Sequence, residues 1–343
     1  MIFNNNIKRI GFACKWVEEH PKKGIVSVEG LNTGGTTLTW LRNNRDKAED
    51  KMMEVMTKNI TNTFNLVKQV ATLPPALRMV RLTSDMMTGY THEDWAYFYK
   101  LPDVRNEMER LFAPIGDFAR ANDVRLSFHP GQFTVLASDT PSIVENSIVE
   151  FEYHVDMARA MGYGKQFQDF KINVHISGRQ GPEGIKRVLG RLTPEARNTI
   201  TIENDEMSWG LDASLELVDH CALVLDIHHH WVKEGEYIQP QDDRIKRVID
   251  SWRGVRPAMH YSVSREDCLV DHDTSTMPNM NVLLESGHKK QKLRAHSDFY
   301  WNDAVNQWAV SHNEWADIMC ESKAKNLASI RLYDTYIKEE NNV

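Results

Sequence analysis

The chain has 343 residues, 41% of them hydrophobic, and a formal net charge of −7. This length and apolar content suffice to bury the core of one barrel-sized domain or of two smaller domains. The acidic balance argues against a nucleic-acid-binding protein, because phosphate contacts normally require a basic surface. A local basic strip, or divalent cations bound where the phosphate lies, would remove this objection.

Neither a secretion signal nor a membrane span is apparent. The first residues lack the charged, then apolar, then small pattern of a signal peptide, and no apolar run is long enough to span a bilayer. The four cysteines are Cys14, Cys221, Cys268 and Cys320. Because they lack CxxC spacing, they are typical of reduced thiols in a cytosolic protein. We therefore predict a cytoplasmic protein, and no obligate protein partner is evident.

Short apolar segments alternate with longer amphipathic ones along the chain. Segments rich in β-branched and aromatic residues predict eight strands, at 9–14, 80–84, 125–129, 171–176, 199–204, 222–227, 258–263 and 317–321. Their nearly continuous apolarity is typical of parallel strands that are buried on both faces.

Amphipathic segments predict helices between these strands. In the longest, 45–70, Met52, Met56, Ile60 and Val67 recur at helical spacing. Further helices are predicted at 104–122, 141–161, 182–189, 212–220, 242–252 and 327–336. Eight strands alternating with helices predict a parallel α/β fold, and the count favours a closed (β/α)8 TIM barrel, formed by residues 1–343 as a single domain, over an open doubly wound sheet.

One segment interrupts this alternation. Residues 264–315 are polar, hold no strong apolar period, and lie between the seventh and eighth predicted strands as a long loop insertion. A connection of this length is usually functional or disordered. Since it follows a strand, it would lie at the carboxyl ends of the barrel strands, where barrel enzymes carry their active sites.

Histidines and carboxylates stand at the carboxyl ends of the third to the eighth predicted strands. They are His129, His175, Glu203, Asp226, His260 and Glu321, and His228–His230 follow Asp226. In a barrel these ends meet at one rim, where unpaired charged groups are costly to bury. Imidazole nitrogens together with carboxylate oxygens suit Zn²⁺ or Mn²⁺, so the pattern favours a metal centre over a purely structural polar cluster.

There are more potential ligands at the predicted strand ends than one metal ion can bind. They predict two or three ions, with Glu203 and Glu321 as bridging carboxylates, and with Glu203, Glu321 and His260 as catalytic residues. Such centres cleave phosphodiesters, because one ion makes hydroxide from water while another neutralises the leaving oxygen. Sugar isomerases also use metals held by barrels, so the metals alone leave the substrate open.

Several short motifs occur in a characteristic order across nearly the whole chain. They are RIGF at 9–12, SFHPGQF at 127–133, VHISG at 174–178, IENDE at 202–206, DIHHH at 226–230, MHYS at 259–262 and ESKAK at 321–325. In these motifs the sequence resembles the UV damage endonuclease family. The resemblance implies a barrel related to endonuclease IV and xylose isomerase. It also implies Mn²⁺-dependent cleavage of double-stranded DNA on the 5′ side of a UV photoproduct, leaving a 3′-hydroxyl and a 5′-phosphate.

The resemblance also implies roles for individual residues. The implied metal ligands are His129, His175, Glu203, Asp226, His229, His260, His296 and Glu321. Gln132 and Phe133 would enter the DNA at the lesion, and Phe12 would line the damage pocket. A competing interpretation makes Phe133 a core residue of its loop.

The sequence departs from the family at two positions. The family commonly has a lysine, carboxylated in some members, two residues before the histidine of the seventh strand, where this chain has Ala258. That modification cannot occur here, which leaves the surroundings of a third ion open. The family also commonly has tyrosine where this chain has Phe133, so the ring is kept and the hydroxyl is lost.

Three other functions compete with this interpretation. An abasic-site endonuclease of the endonuclease IV type would share the chemistry and differ in its target. A metal-dependent sugar isomerase would share the barrel, but it would need a small closed pocket and gives no reason for the HPGQF motif. A catalytically silent damage-binding protein would have no use for the complete ligand set.

Overall fold

Eight parallel strands form one curved sheet in the computed structural model of the chain, which describes residues 3–269 and 272–338. Together with a separate pair, β2 and β3, the strands in chain order are β1 (Ile10–Ala13), β2 (Val17–His20), β3 (Gly24–Ser27), β4 (Met79–Arg81), β5 (Arg125–Phe128), β6 (Lys171–His175), β7 (Ile200–Glu203), β8 (Ala222–Val224), β9 (Ala258–Tyr261) and β10 (Asp317–Cys320). The order in the sheet is β8-β7-β6-β5-β4-β1-β10-β9, while β2 and β3 pair separately. All eight predicted strands are confirmed.

The edges of this sheet, β8 and β9, meet and close the barrel. Asp226 and His260 form a parallel bridge, and the amide of His260 donates to the carbonyl of Leu225 over 3.0 Å. Closure pairs backbone groups that an open edge would leave exposed. The TIM-barrel class is thereby confirmed over the open sheet, and the closing bridge sets two of the predicted ligands side by side.

Helices surround the barrel. They are α1 (Leu38–Asn43), α2 (Ala48–Ala71), α3 (Pro102–Ala121), α4 (Pro141–Ala160), α5 (Gly181–Leu189), α6 (Pro194–Thr199), α7 (Leu211–Ser214), α8 (Ile227–Glu234), α9 (Asp243–Ser251), α10 (Met280–Glu285), α11 (Lys290–Leu293), α12 (Asp303–Ser311) and α13 (Lys325–Tyr336). Each predicted helix is present, although 212–220 shortens to α7 and a 3-10 turn at Leu215–Leu217. In α2, Met52, Met56, Ile60 and Val67 of the predicted apolar face are fully buried in the core. Within the described residues, none of these helices combines the length and apolarity that crossing a membrane requires.

The connection that follows β1 contains a hairpin that the sequence pattern did not predict. Strands β2 and β3 pair antiparallel from Val17 opposite Ser27 to His20 opposite Gly24. The hairpin is fastened to α13 because Asn326 accepts from the amide of Val17 over 2.8 Å and donates to its carbonyl over 3.0 Å. The hairpin thus lies at the carboxyl end of β1, on the same side of the barrel as the predicted ligands.

The long segment 264–315 carries more regular structure than its sequence predicts. It contains α10, α11 and α12, and its Ser264 forms an antiparallel bridge with His296. Met280, Leu283 and Leu293 from this segment pack with Trp231 of α8 in a small apolar cluster. The segment is therefore held against the rim of the barrel.

Candidate metal centre

The carboxyl ends of the barrel strands bring histidines together around one buried carboxylate, Glu203, the last residue of β7. Its Oε2 is 3.3 Å from Nε2 of His129 and 3.9 Å from Nε2 of His175. Its Oε1 is 3.1 Å from Nδ1 of His260 and 3.4 Å from Nδ1 of His229. Four predicted ligands therefore surround a fifth.

The barrel interior fixes the position and charge of Glu203. The side-chain amide of Asn173 donates to its Oε2, and the hydroxyl of Thr201 in turn donates to Oδ1 of Asn173 over 2.8 Å. Burial alone would raise the pKa of Glu203, but His260 and His175 lower it well below its usual range. The side chain is a carboxylate held in one orientation.

A second carboxylate, Glu321, follows β10 and faces the same histidine. Its Oε1 is 3.4 Å from Nδ1 of His260 and pairs with the guanidinium of Arg81. Burial would raise the pKa of Glu321, but Arg81 lowers it well below the ordinary value. Nδ1 of His260 thus lies between two ionised carboxylates, Glu203 and Glu321.

Three of the predicted histidine ligands engage the same ring nitrogen, Nδ1, with a backbone carbonyl. Nδ1 of His129 is 2.8 Å from the carbonyl of Pro130, Nδ1 of His229 is 3.0 Å from the carbonyl of Asn204, and Nδ1 of His296 is 2.8 Å from the carbonyl of Glu321. A carbonyl oxygen only accepts, so each Nδ1 is the donor and Nε2 is left for another partner. This orientation is typical of histidines that bind metals.

His260 instead directs Nδ1 toward the carboxylates, and a lysine contacts its other ring nitrogen, Nε2. Nζ of Lys171, the first residue of β6, is 2.9 Å from Nε2 of His260, and burial lowers the pKa of Lys171 to about 7. Ala258 packs instead with Ala222, Val224 and Trp252. The position of the family's lysine is thus apolar here, while a lysine from a different strand approaches the same histidine.

Lys171 was not among the predicted site residues, although the sequence carries a signal for it. In a strand, residues two apart share a face, so Lys171 and Asn173 lie on the same face as His175. A lysine at the start of an otherwise buried strand, in register with a predicted ligand, indicates a side chain that points into the barrel.

Asp226 supplies an observation that fits a bound cation. Its Oδ1 accepts from the amide of His229 over 2.7 Å, so Asp226 caps the amino-terminal end of α8. Its fully buried Oδ2, in contrast, has no hydrogen-bond partner among the described residues. Burial raises the pKa of Asp226 to about 8. Burial lowers the pKa of His229, but Asp226 and Glu203 outweigh it and raise that pKa to about 10. The buried Oδ2 of Asp226 is therefore an atom whose missing partner a bound cation would supply.

The described residues contain four overlapping groups whose ligand atoms all lie within 4.8 Å of one another. The groups are His129, His175 and Glu203; His129, His260 and Glu321; His175, Glu206 and His229; and Glu203, Asp226 and His260. Seven of the predicted ligands belong to at least one group. His296 belongs to none of those found in the described ranges, whereas Glu206, which was not predicted as a ligand, belongs to one.

The predicted DNA-contacting residues lie in two different environments. Gln132 and Phe133 are exposed in the turn between β5 and α4, and Phe133 is 85% exposed. The interpretation of Phe133 as a core residue is therefore wrong. Phe133 borders a groove of about 1050 Å³ that is also lined by Lys15 and Tyr153.

Phe12 lies away from any open surface. It is 1% exposed, packs with the main core, and contacts Trp16 edge to face with 5.7 Å between ring centroids. Its neighbour Ala13 belongs to a separate cluster with Met79 and Met319. Since neighbouring residues of a strand face opposite sides, the structure does not support the predicted place of Phe12 in a damage pocket.

Known proteins resemble this chain over most of its length. The sequence model of the family described as UV-endonuclease UvdE matches residues 8–343. A UV DNA damage endonuclease of Bacillus cereus (strain G9842) is 25% identical over 313 residues, covering 87% of each chain. The enzyme of the same name from Bacillus velezensis (strain DSM 23117 / BGSC 10A6 / LMG 26770 / FZB42) is 26% identical over 315 residues, again covering 87% of each.

Solved structures show the same fold. The crystal structure of SacUVDE superposes with a TM-score of 0.70 at 22% identity and covers 98% of this chain and 99% of that one. Endonuclease IV from Thermus thermophilus superposes with a TM-score of 0.50 at 12% identity, covering 82% of this chain and 94% of that one. With the family match spanning nearly the whole sequence, the chain belongs to the UV-endonuclease UvdE family.

Proposed function

We propose that this chain is a metal-dependent DNA repair endonuclease that hydrolyses the phosphodiester bond on the 5′ side of UV photoproducts in double-stranded DNA. The observation that carries the proposal is the group of four histidines around the buried carboxylate of Glu203. Family membership and the names of the curated relatives support the substrate. Such a substrate, together with free cysteine thiols, supports action in the cytoplasm.

We propose that the donor set holds two or three divalent ions and that these ions are Mn²⁺, which the overlapping groups of ligand atoms support. Bound ions would supply hydroxide from water and neutralise charge on the phosphodiester. The proposed ligands are His129, His175, Glu203, Asp226, His229, His260, His296 and Glu321. Glu203 and Glu321 would each offer a carboxylate to the ions, and each lies within 3.4 Å of Nδ1 of His260.

Residues around the ligands hold this set in place. Asn173 fixes Glu203, Arg81 fixes Glu321, and Lys171 contacts His260 on the side away from the carboxylates. Such supporting contacts orient metal ligands and limit their movement. At the rim, Gln132 and Phe133 project where a duplex would approach, and a photoproduct is unstacked at lower cost than normal bases.

The test uses supercoiled plasmid in irradiated, abasic and untreated forms, with Mn²⁺ or with a chelator. We expect Mn²⁺-dependent nicking of the irradiated plasmid, and end-labelled duplexes should place the cut 5′ to the photoproduct. Glu203→Gln should lower the rate by two to three decades, on the order of 3–4 kcal/mol of barrier. Full nicking in chelator, or near-normal cleavage by Glu203→Gln, would contradict the proposal. Nicking of the abasic plasmid alone would favour the endonuclease IV type.

A further inference from the structure

Glu206 lies beside the centre on the side that faces His229. Its Oε2 is 3.5 Å from Nε2 of His229, and only 9% of its side chain is exposed. Glu206, His229 and His175 offer ligand atoms that all lie within 4.8 Å of one another. Because Nδ1 of His229 is engaged by the carbonyl of Asn204, Nε2 is the nitrogen available to a ligand on this side.

A second carboxylate faces the same ring nitrogen. Oδ2 of Asp226 is 3.7 Å from Nε2 of His229, and this fully buried oxygen has no hydrogen-bond partner among the described residues. Two carboxylate oxygens therefore lie near one imidazole nitrogen. The ligand atoms of Glu206, His229 and His175 are close enough to share one divalent cation, and they are the oxygen and nitrogen donors that Zn²⁺ and Mn²⁺ accept.

The competing role for Glu206 is an ion pair with Arg294. Nε of Arg294 is 3.3 Å from Oε1 of Glu206, and Arg294 stands two residues before His296, so the pair could serve only to hold the segment 264–315 against the rim. The two contacts use different oxygens, however. Oε1 faces Arg294, while Oε2 faces His229, so the ion pair leaves one carboxylate oxygen for an ion.

We propose that Glu206 is a further metal ligand, which together with His229 and His175 holds an ion of the centre. Glu206 would add an anionic donor to a part of the centre that is otherwise provided by imidazoles and by Asp226. This assignment rests on the metal-dependent function proposed above. It concerns ion binding, so it can be tested without measuring cleavage.

The experiment compares the wild-type chain with Glu206→Gln, Glu206→Asp and Arg294→Gln. Each protein is dialysed against limiting Mn²⁺, the ions per chain are counted by mass spectrometry, and affinities are measured by competition with a fluorescent chelator. Glu206→Gln should hold one ion fewer, or bind its weakest ion at least about tenfold less tightly, since even outer contacts of metal ligands are worth that much. Glu206→Asp should be intermediate. Arg294→Gln, which breaks the ion pair and keeps the carboxylate, should retain the wild-type count.

The outcomes separate this inference from the proposed function. Equal losses in Glu206→Gln and Arg294→Gln would make Glu206 an anchor for Arg294 and overturn the assignment, as would wild-type binding in Glu206→Gln. If Glu206→Gln fails to fold, as judged by far-UV circular dichroism, unchanged affinity in a folded Glu206→Asp overturns it instead. A wild-type chain that holds no divalent ion would contradict the metal-dependent function itself, whereas intact wild-type binding with an unaffected Glu206→Gln would contradict only the role of Glu206.

Discussion

Phe133 is the most exposed large apolar side chain in the described part of the molecule. It follows His129 by four residues across Pro130 and Gly131, and Gln132 beside it is exposed as well. An aromatic ring held in water contributes nothing to the core, so it is free to contact a partner. A damaged base step offers such a partner, because a ring can replace the stacking that the photoproduct has lost.

We predict that replacing Gln132 and Phe133 with alanine weakens binding to irradiated duplex selectively. The lost stacking is roughly 1–3 kcal/mol, while the exposed positions leave the melting temperature and the ion content unchanged. Fluorescence anisotropy on irradiated and untreated duplexes, with thermal unfolding on the same preparation, measures both effects. The matched control is Phe128→Ala, a fully buried ring in the same motif, which should cost about 3–5 kcal/mol of stability. Equal weakening on both duplexes would rule out a lesion-specific role.

The types of the site residues could be predicted from sequence, but their contacts could not. His129, His175 and Glu203 stand at predicted strand ends, and parallel strands bring such ends together. The contact between Lys171 and His260 joins residues 89 apart, and that between Arg81 and Glu321 joins residues 240 apart. Both depend on the register in which the barrel closes, which no local pattern encodes.

The elements that the sequence did not predict are those without a buried face of their own. Strand β3 is mostly exposed and β2 buries only Val17 fully, so the hairpin lacks the apolar alternation that identifies a strand. Helices α10 and α11 bury Met280, Leu283 and Leu293 against Trp231 of α8. Their stability therefore comes from tertiary packing, whereas long helices such as α2 carry a complete apolar face in their own sequence.

Strand β10 connects the two ends of the barrel, with Glu321 following it at the rim and Asp317 beginning it at the base. Asp317 is fully buried and accepts from the amide of Arg9 over 2.9 Å, from the Arg125 guanidinium over 2.7 Å and from Nε of Arg256 over 2.6 Å. These donors come from the residue before β1, from β5 and from the segment before β9. One carboxylate thus ties four parts of the barrel together, far from the ligands at the rim.

We predict that Asp317→Asn destabilises the fold and leaves the centre intact. Removing one partner of a buried ion pair leaves uncompensated charge and costs about 3–5 kcal/mol. Urea unfolding in chelator measures the loss of stability. In a separate measurement without chelator, the ion content of the folded fraction should equal that of the wild type. Glu314→Gln is the control, because its ion pair with Lys8 is exposed and should contribute less than about 1 kcal/mol. Loss of ions at unchanged stability would show that the base and the rim are not separate.

At the scale of the whole molecule, the net charge of −7 conflicts with a DNA substrate unless the charge is distributed favourably. The eight-stranded sheet brings the ends of strands from all parts of the chain to one rim. The organisation of residues 1–343 as one domain remains a prediction. At that rim stand Glu203, Glu206, Asp226 and Glu321. Without ions, the ionised carboxylates of Glu203 and Glu321 would oppose a phosphate backbone that approaches this rim.

We therefore predict that divalent ions control DNA affinity as well as cleavage. Two ions add four positive charges next to the scissile phosphate, and charges near a protein surface interact by about 2 kcal/mol at 8 Å. Untreated duplex, which should not be cut, allows binding to be measured in Mn²⁺ without turnover. We expect the Mn²⁺-loaded protein to bind it at least about tenfold more tightly than the chelator-treated protein, with far-UV circular dichroism establishing that both are folded. Equal affinities would instead mean that the binding energy comes from basic side chains, such as Lys289, Lys290 and Lys292 in and before α11 of the segment 264–315, and that the acidic rim stays clear of the phosphates.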